Sequence, residues 1–140
     1  MLTKLLRPGA DMAYALLRIV AGLMFSFHGM QKILGVLPDP RQPPIEIGSQ
    51  LWLGGMIELT CGLAIALGLF TSWAAFLASG TMAVAYVQFH WMADKHLRFD
   101  RNFFPGVNQG ELALLYSFLF LYIACRGGGR WSFEKSRPAA

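Results

Sequence analysis

The sequence predicts an all-α integral membrane protein: a single domain, residues 1–140, built as a four-helix bundle with antiparallel up-down-up-down helices. Three observations carry this expectation. Four apolar stretches each come close to the length of a bilayer crossing. The composition is 55% hydrophobic and only 14% charged, with 11 Phe, 4 Trp and 4 Tyr, which is far from the balance of a soluble domain. The polar side chains inside the stretches lie mostly toward one membrane face.

The four runs cover about residues 12–34, 51–70, 72–93 and 107–125. At ~1.5 Å per residue they make helices of roughly 28 to 35 Å, enough for a hydrocarbon core of about 30 Å. Lys4 and Arg7 ahead of the first run resemble the basic start of a signal peptide. That run is too long, contains Arg18 and leads to no small-residue cleavage site, so it reads as a retained helix.

The connections differ in kind. Phe70-Thr71-Ser72 leaves almost no loop, so the second and third runs should form an antiparallel hairpin. Between the first two runs Pro38, Pro40, Pro43 and Pro44 prevent helix continuation. Residues 94–106 mix Asp94, Lys95, Arg98, Asp100 and Arg101 with Phe99, Phe103 and Phe104, a composition that suits the membrane interface. Tyr86, Phe89, Trp91 and Trp52 read as an aromatic belt near the same surface.

Orientation rests on Lys and Arg. Lys4, Arg7, Arg126, Arg130, Lys135 and Arg137 sit on the terminal side, against Arg41, Lys95, Arg98, Arg101 and the helix-end Lys32 on the loop side. The margin of about one charge favours N- and C-termini in the cytoplasm.

Counting along each helix gives depth. His28 lies roughly 9 Å and Lys32 roughly 3 Å below the loop-side surface, Glu58 about 10 Å, Gln88 and His90 about 8 and 5 Å, and Glu111 about 6 Å. An ionisable group at mid-membrane costs about 2.5 to 3.5 kcal/mol on insertion scales, so these groups should face one another or a wet cavity rather than lipid. His28 and Lys32, four residues apart, share a helical face that can approach Glu58. A Glu58 pair with Lys32 or His28 is therefore expected at the centre. The small residues around it, Gly54, Gly55 and Gly62, permit close approach of a partner helix. Such a cluster either holds the helices together or forms a ligand or proton-handling pocket. Arg18 lies roughly 14 Å in depth from Glu58. It is expected to be a structural charge, either snorkelling to headgroups or binding backbone carbonyls and Tyr122.

Family resemblance enters with these residues. Leu16-Leu17-Arg18-Ile19 and Phe27-His28-Gly29-Met30-Gln31-Lys32 resemble the first-helix signature of the DoxX family of small bacterial membrane proteins. Ile57-Glu58-Leu59, Gly62-Leu63-Ala64 and Leu67-Gly68-Leu69-Phe70-Thr71 are similar to its second helix and hairpin turn. Phe104-Pro105-Gly106-Val107-Asn108-Gln109-Gly110-Glu111-Leu112-Ala113 and Gly127-Gly128-Gly129-Arg130-Trp131-Ser132 resemble its loop and tail, so that the likeness spans residues 14–134. The resemblance implies a four-helix inner-membrane protein related to the DoxD membrane subunit of archaeal thiosulfate:quinone oxidoreductase. In some bacteria it implies a link to complexes handling thiol and oxidative stress. The pocket residues it implies here are His28, Lys32, Glu58, Asn108 and Glu111, which join Gln88 and His90 as ligand-binding candidates; no catalytic residue is assigned.

Other chemistries are weaker. Cys61 and Cys125 form no CxxC, so a redox role would depend on a bound quinone or a partner subunit rather than an intrinsic cofactor. His90, Asp94 and His96 could approach a metal if the third helix ran on, but their spacing fits no zinc motif and no metal site is expected. Gly127 to Gly129 lack the Lys-Ser/Thr of a phosphate loop, and the basic tail suits anionic lipid rather than nucleic acid. Three function classes result: a membrane subunit or accessory of a redox complex binding a quinone or small sulfur compound, a scaffold recruiting a protein partner, and a small-solute or proton pathway. The polar groups concentrate in one leaflet, which favours the first over the third.

Overall fold

A computed structural model describes residues 1–37, 45–93 and 96–134. The loop prolines and Arg41, the Asp94-Lys95 pair, and the tail residues Lys135 and Arg137 lie outside the described residues. The chain is mostly helical. A short α1 (Leu2–Leu6) leads through a 3-10 turn into α2 (Ala10–Leu34). Then come α3 (Gln50–Leu67), α4 (Thr71–Ala85), the single turn α5 (Pro105–Asn108) and α6 (Glu111–Arg126). The stretches Leu2–Leu34 and Gln50–Leu67 are each long and apolar enough to cross a membrane.

Helix ends follow local chemistry. The Ser49 hydroxyl accepts from Trp52 N at 3.2 Å and starts α3. Gly68, at φ +72°, stops it three residues before the end expected from hydropathy. Gly68 N donates to Ile65 O and Leu69 N to Ala64 O, the paired bonds of a Schellman stop that glycine adopts without a Cβ penalty.

The third run departs more. Its α-helix ends at Ala85, continues as a π-turn over Tyr86–Trp91, and breaks at the extended Met92. Met92–Ala93 then pairs antiparallel with His96–Leu97 in a minimal ribbon. The helical continuation that would have placed His90 and Asp94 on one face does not exist. Tyr86 is also not a belt residue: it is buried, with its hydroxyl 3.3 Å from Phe103 O, and a Cβ on Gly110 would come within 2.6 Å of its ring. Trp91 does sit among exposed aromatics, edge-on to Phe99 and Phe103.

The fourth run starts late. Asn108 Oδ1 accepts from Gly110 N at 2.8 Å and Gln109 is left-handed at φ 60°, so the chain turns there and α6 begins at Glu111 rather than near residue 107.

α2 packs most extensively on α3, and α4 on α6, with α3 touching α4. Small residues make the first contact. A Cβ on Gly22 would lie 2.7 Å from Gly62 O, and one on Gly29 would lie 2.7 Å from Gly55 O, so the two antiparallel backbones almost touch. Ala74, Ala75, Ala78 and Ser79 are buried on α4. Large apolar side chains largely point the other way: Leu23, Leu63, Trp73, Phe76, Leu115 and Phe118 are all exposed. Small residues inside and large apolar ones outside is the pattern of helices solvated by lipid.

Candidate functional site

The α2–α3 contact brings Lys32 and Glu58 together. Lys32 Nζ donates to Glu58 Oε1 at 2.6 Å, and Glu58 is only 3% exposed. Its second oxygen, Oε2, is buried without a hydrogen-bond partner among the described residues. Both side chains stand in the wall of an open-sided cavity of about 930 Å³ lined by α2, α3, α4, α6 and the π-turn. His28 lines it one turn from Lys32 and makes no hydrogen bond to a described residue. His90 lines it from the π-turn, with Nδ1 3.1 Å from Asn108 O and its ring stacked on Tyr86.

Three other candidates stand back. Asn108 does not line the cavity. It reaches the site only through the carbonyl beside His90, while its side chain shapes the turn and donates to Asn102 O. Gln88 is exposed and accepts from Gln50, which does line the cavity. Glu111 is exposed at the first turn of α6, where its charge complements the helix N-terminus instead of joining Glu58. The π-turn carries Gln88, the Asx turn holds Asn108, and Glu111 shares the outer face of α6 with exposed Leu115 and Phe118.

Sequence reading missed four polar liners, Gln50, Thr81, Gln109 and Tyr116. Thr81 and Tyr116 lie within apolar runs where a hydroxyl raises no signal. Phe25 and Tyr116 line the cavity and are backed by Phe120, which stacks on Tyr116 at a centroid distance of 5.2 Å and packs tilted against Phe25 at 4.7 Å. This aromatic floor separates the Glu58 end from the Arg18 end.

At the Arg18 end the arrangement is structural. Arg18 is fully buried and does not snorkel. Its guanidinium donates to Ile65 O, to Ala66 O at 2.8 Å, and to Arg130 O and Trp131 O at 3.2 and 2.9 Å. Tyr122 is not a partner; it accepts from Arg126. Phe133 N and Glu134 N take up Leu67 O and Gly68 O, and the Glu134 carboxylate accepts from Thr71 N at 3.2 Å. The tail thus completes the hydrogen bonds left open where α3 ends and α4 begins. No sequence motif announced Glu134 in that role.

The buried pair makes a direct prediction. Lys32→Met leaves Glu58 with neither oxygen partnered and should cost about 3–5 kcal/mol. Adding Glu58→Gln should recover a large part, because no buried charge then remains. Thermal unfolding of the two single variants and the double in detergent measures the coupling, and simple additivity would show that the pair contributes nothing as a pair.

The DoxX family matches residues 13–91. An uncharacterized protein of Haemophilus influenzae is 41% identical over 130 residues, spanning 86% of this chain and 87% of that one. No solved structure matches. The matched segment runs from the helix bearing Arg18, His28 and Lys32 through Glu58 to His90 and Trp91, and the chain belongs to the DoxX family.

Proposed function

We propose that this protein is the membrane subunit, or a membrane accessory, of a redox complex, and that it binds a quinone or quinol in the cavity beside Glu58. Its four long helices then form a transmembrane bundle running up-down-up-down in the bacterial inner membrane, with both termini cytoplasmic and the cavity in the periplasmic leaflet. The observation that carries the reading is the unpartnered Oε2 of a buried glutamate in the wall of a cavity of about 930 Å³. An ionised carboxylate in that setting accepts a hydrogen bond from whatever donor enters, and a quinol hydroxyl is such a donor. Lys32 and the imidazole of His28 supply the complementary cation and proton-exchanging group for the oxidised ring. Most of the remaining lining is apolar, with Gln50, Thr81, His90, Gln109 and Tyr116 as its other polar side chains, as befits a site that orients its ligand by a few polar groups.

A pathway across the membrane is less well supported. Phe25 and Tyr116, backed by Phe120, close the cavity on the side facing Arg18, whose Nη1 and Nη2 donate to carbonyls.

Glu58→Gln keeps the shape and removes the charge. In lipid nanodiscs it should weaken binding of a quinol at least tenfold, while helix content and membrane insertion stay as in the unaltered protein. Titration by calorimetry measures this, and an unchanged affinity would remove the pocket from consideration.

A further inference from the structure

The glycines inside the long helices divide by what lies over them. Gly22, Gly29, Gly55 and Gly62 face neighbouring helix atoms closer than a Cβ could tolerate. Gly54 on α3 and Gly80 on α4 face nothing within 4 Å, and neither has a positive φ. No turn, contact or backbone strain calls for glycine at either place, although glycine inside a helix costs about 1 kcal/mol relative to alanine. Both line the cavity, from the halves of α3 and α4 that lie away from their shared turn.

The side chains around the two glycines describe an opening. Leu53, Phe76, Leu77 and Val84 line the cavity and are also exposed on the outer surface. The gap between α3 and α4 therefore communicates with the apolar exterior, while its inner end carries Glu58, Lys32 and His28. With the ionisable Glu58, Lys32 and His28 at its inner end and Leu53, Phe76, Leu77 and Val84 flanking its mouth, the gap has the polarity of a single-tailed amphiphile. A small hydrophilic anion would have to cross the apolar mouth to reach the same residues, at the cost of its hydration.

We propose that the gap flanked by Gly54 and Gly80 is a lateral portal to the bilayer, through which an amphiphile with a hydrogen-bond-donating ring head and one apolar tail docks with its head at Glu58 and its tail between α3 and α4. The proposal rests on the pocket reading above and narrows its ligand to a tailed quinol rather than a small sulfur compound. The missing Cβ atoms leave the width that the tail occupies.

The test uses two probes with the same head, decylubiquinol and the tail-less 2,3-dimethoxy-5-methylhydroquinone, titrated into the full chain in nanodiscs and corrected against empty nanodiscs. The unaltered protein should bind the tailed probe at least tenfold more tightly. Gly80→Leu fills open space on one wall and should bring that ratio close to one, and Gly54→Leu should do the same from the opposite wall, so that a folding failure in either variant leaves the other to decide. A ratio unchanged in the variants, with binding still dependent on Glu58, overturns the portal and leaves the pocket standing. No binding of either probe to the unaltered protein overturns both.

Discussion

Arg18→Met should release the C-terminal tail and cost about 3–5 kcal/mol, the loss characteristic of breaking a buried charged network. The side chain is fully buried, and its donors serve four carbonyls from two separated segments, Ile65 and Ala66 at the end of α3 and Arg130 and Trp131 in the tail. The last carbonyls of a helix carry partial negative charge, so a guanidinium is matched to them in sign as well as in hydrogen bonding. Methionine fills much of the volume and supplies no donor, so Ala66 O loses its Arg18 bond at the apolar helix end, Ile65 O keeps only the bond from Gly68 N, and Arg130 O and Trp131 O are no longer tied to α3. The loss should spread, because the bonds from Phe133 N and Glu134 N and the cap on Thr71 all depend on the tail lying in place. Arg18→Lys keeps the charge but not the fork that spans both segments, and should fall between. Thermal unfolding in detergent and tryptic cleavage at Arg130 measure the two effects. A melting temperature within a degree of the unaltered protein, with Arg130 still protected, would mean that the tail is held by something else.

The second large effect is expected at the α2–α3 contact. Gly29→Ala and Gly62→Ala each place a Cβ against a neighbouring backbone, Gly55 O for the first and Gly22 O for the second, both at 2.7 Å. Backbone cannot step aside as a flexible side chain can, so the helices must separate. Overpacking of this kind costs typically about 1–3 kcal/mol, and a bulkier residue should cost more. Function should suffer with stability, since the Lys32–Glu58 bond of 2.6 Å bridges the same two helices. Gly54→Ala is the internal control: its Cβ would enter open space, and it should be neutral or stabilising by about 1 kcal/mol through helix propensity. If all three alanine variants melted alike, close backbone approach would not be what joins α2 to α3.

Much of the helical layout was legible because bilayer length and hydropathy are one-dimensional properties. The runs at 12–34 and 51–70 became helices at Ala10–Leu34 and Gln50–Leu67, and the second fell short only where Gly68 permits a left-handed stop that hydropathy does not register. The third and fourth runs were less legible. A π-turn at Tyr86–Trp91 and an Asx turn at Asn108 are decided by how Tyr86 fits against Gly110 and by what the Asn108 amide bonds, and neither leaves a mark in apolarity. The same limit applies to the site. Depth placed Gln88, His90 and Glu111 at one level, but depth carries no information about rotation around a helix axis. The wider π-turn carries Gln88 outward while His90 stays at the cavity, and Glu111 shares the outer face of α6 with exposed Leu115, Phe118 and Tyr122.

Residue order alone determined the apolar helical class and the spacing that puts His28 and Lys32 on one face, since both follow from local composition and periodicity, and its motifs carried the likeness to the family. Only tertiary structure decided which partner Glu58 takes, that its second oxygen is left free, that Arg18 ties the tail to the end of α3, and that two glycines border an open gap while four lie under another helix. Those outcomes depend on the rotation and separation of packed helices, which are set by contacts between residues up to 115 positions apart in the chain.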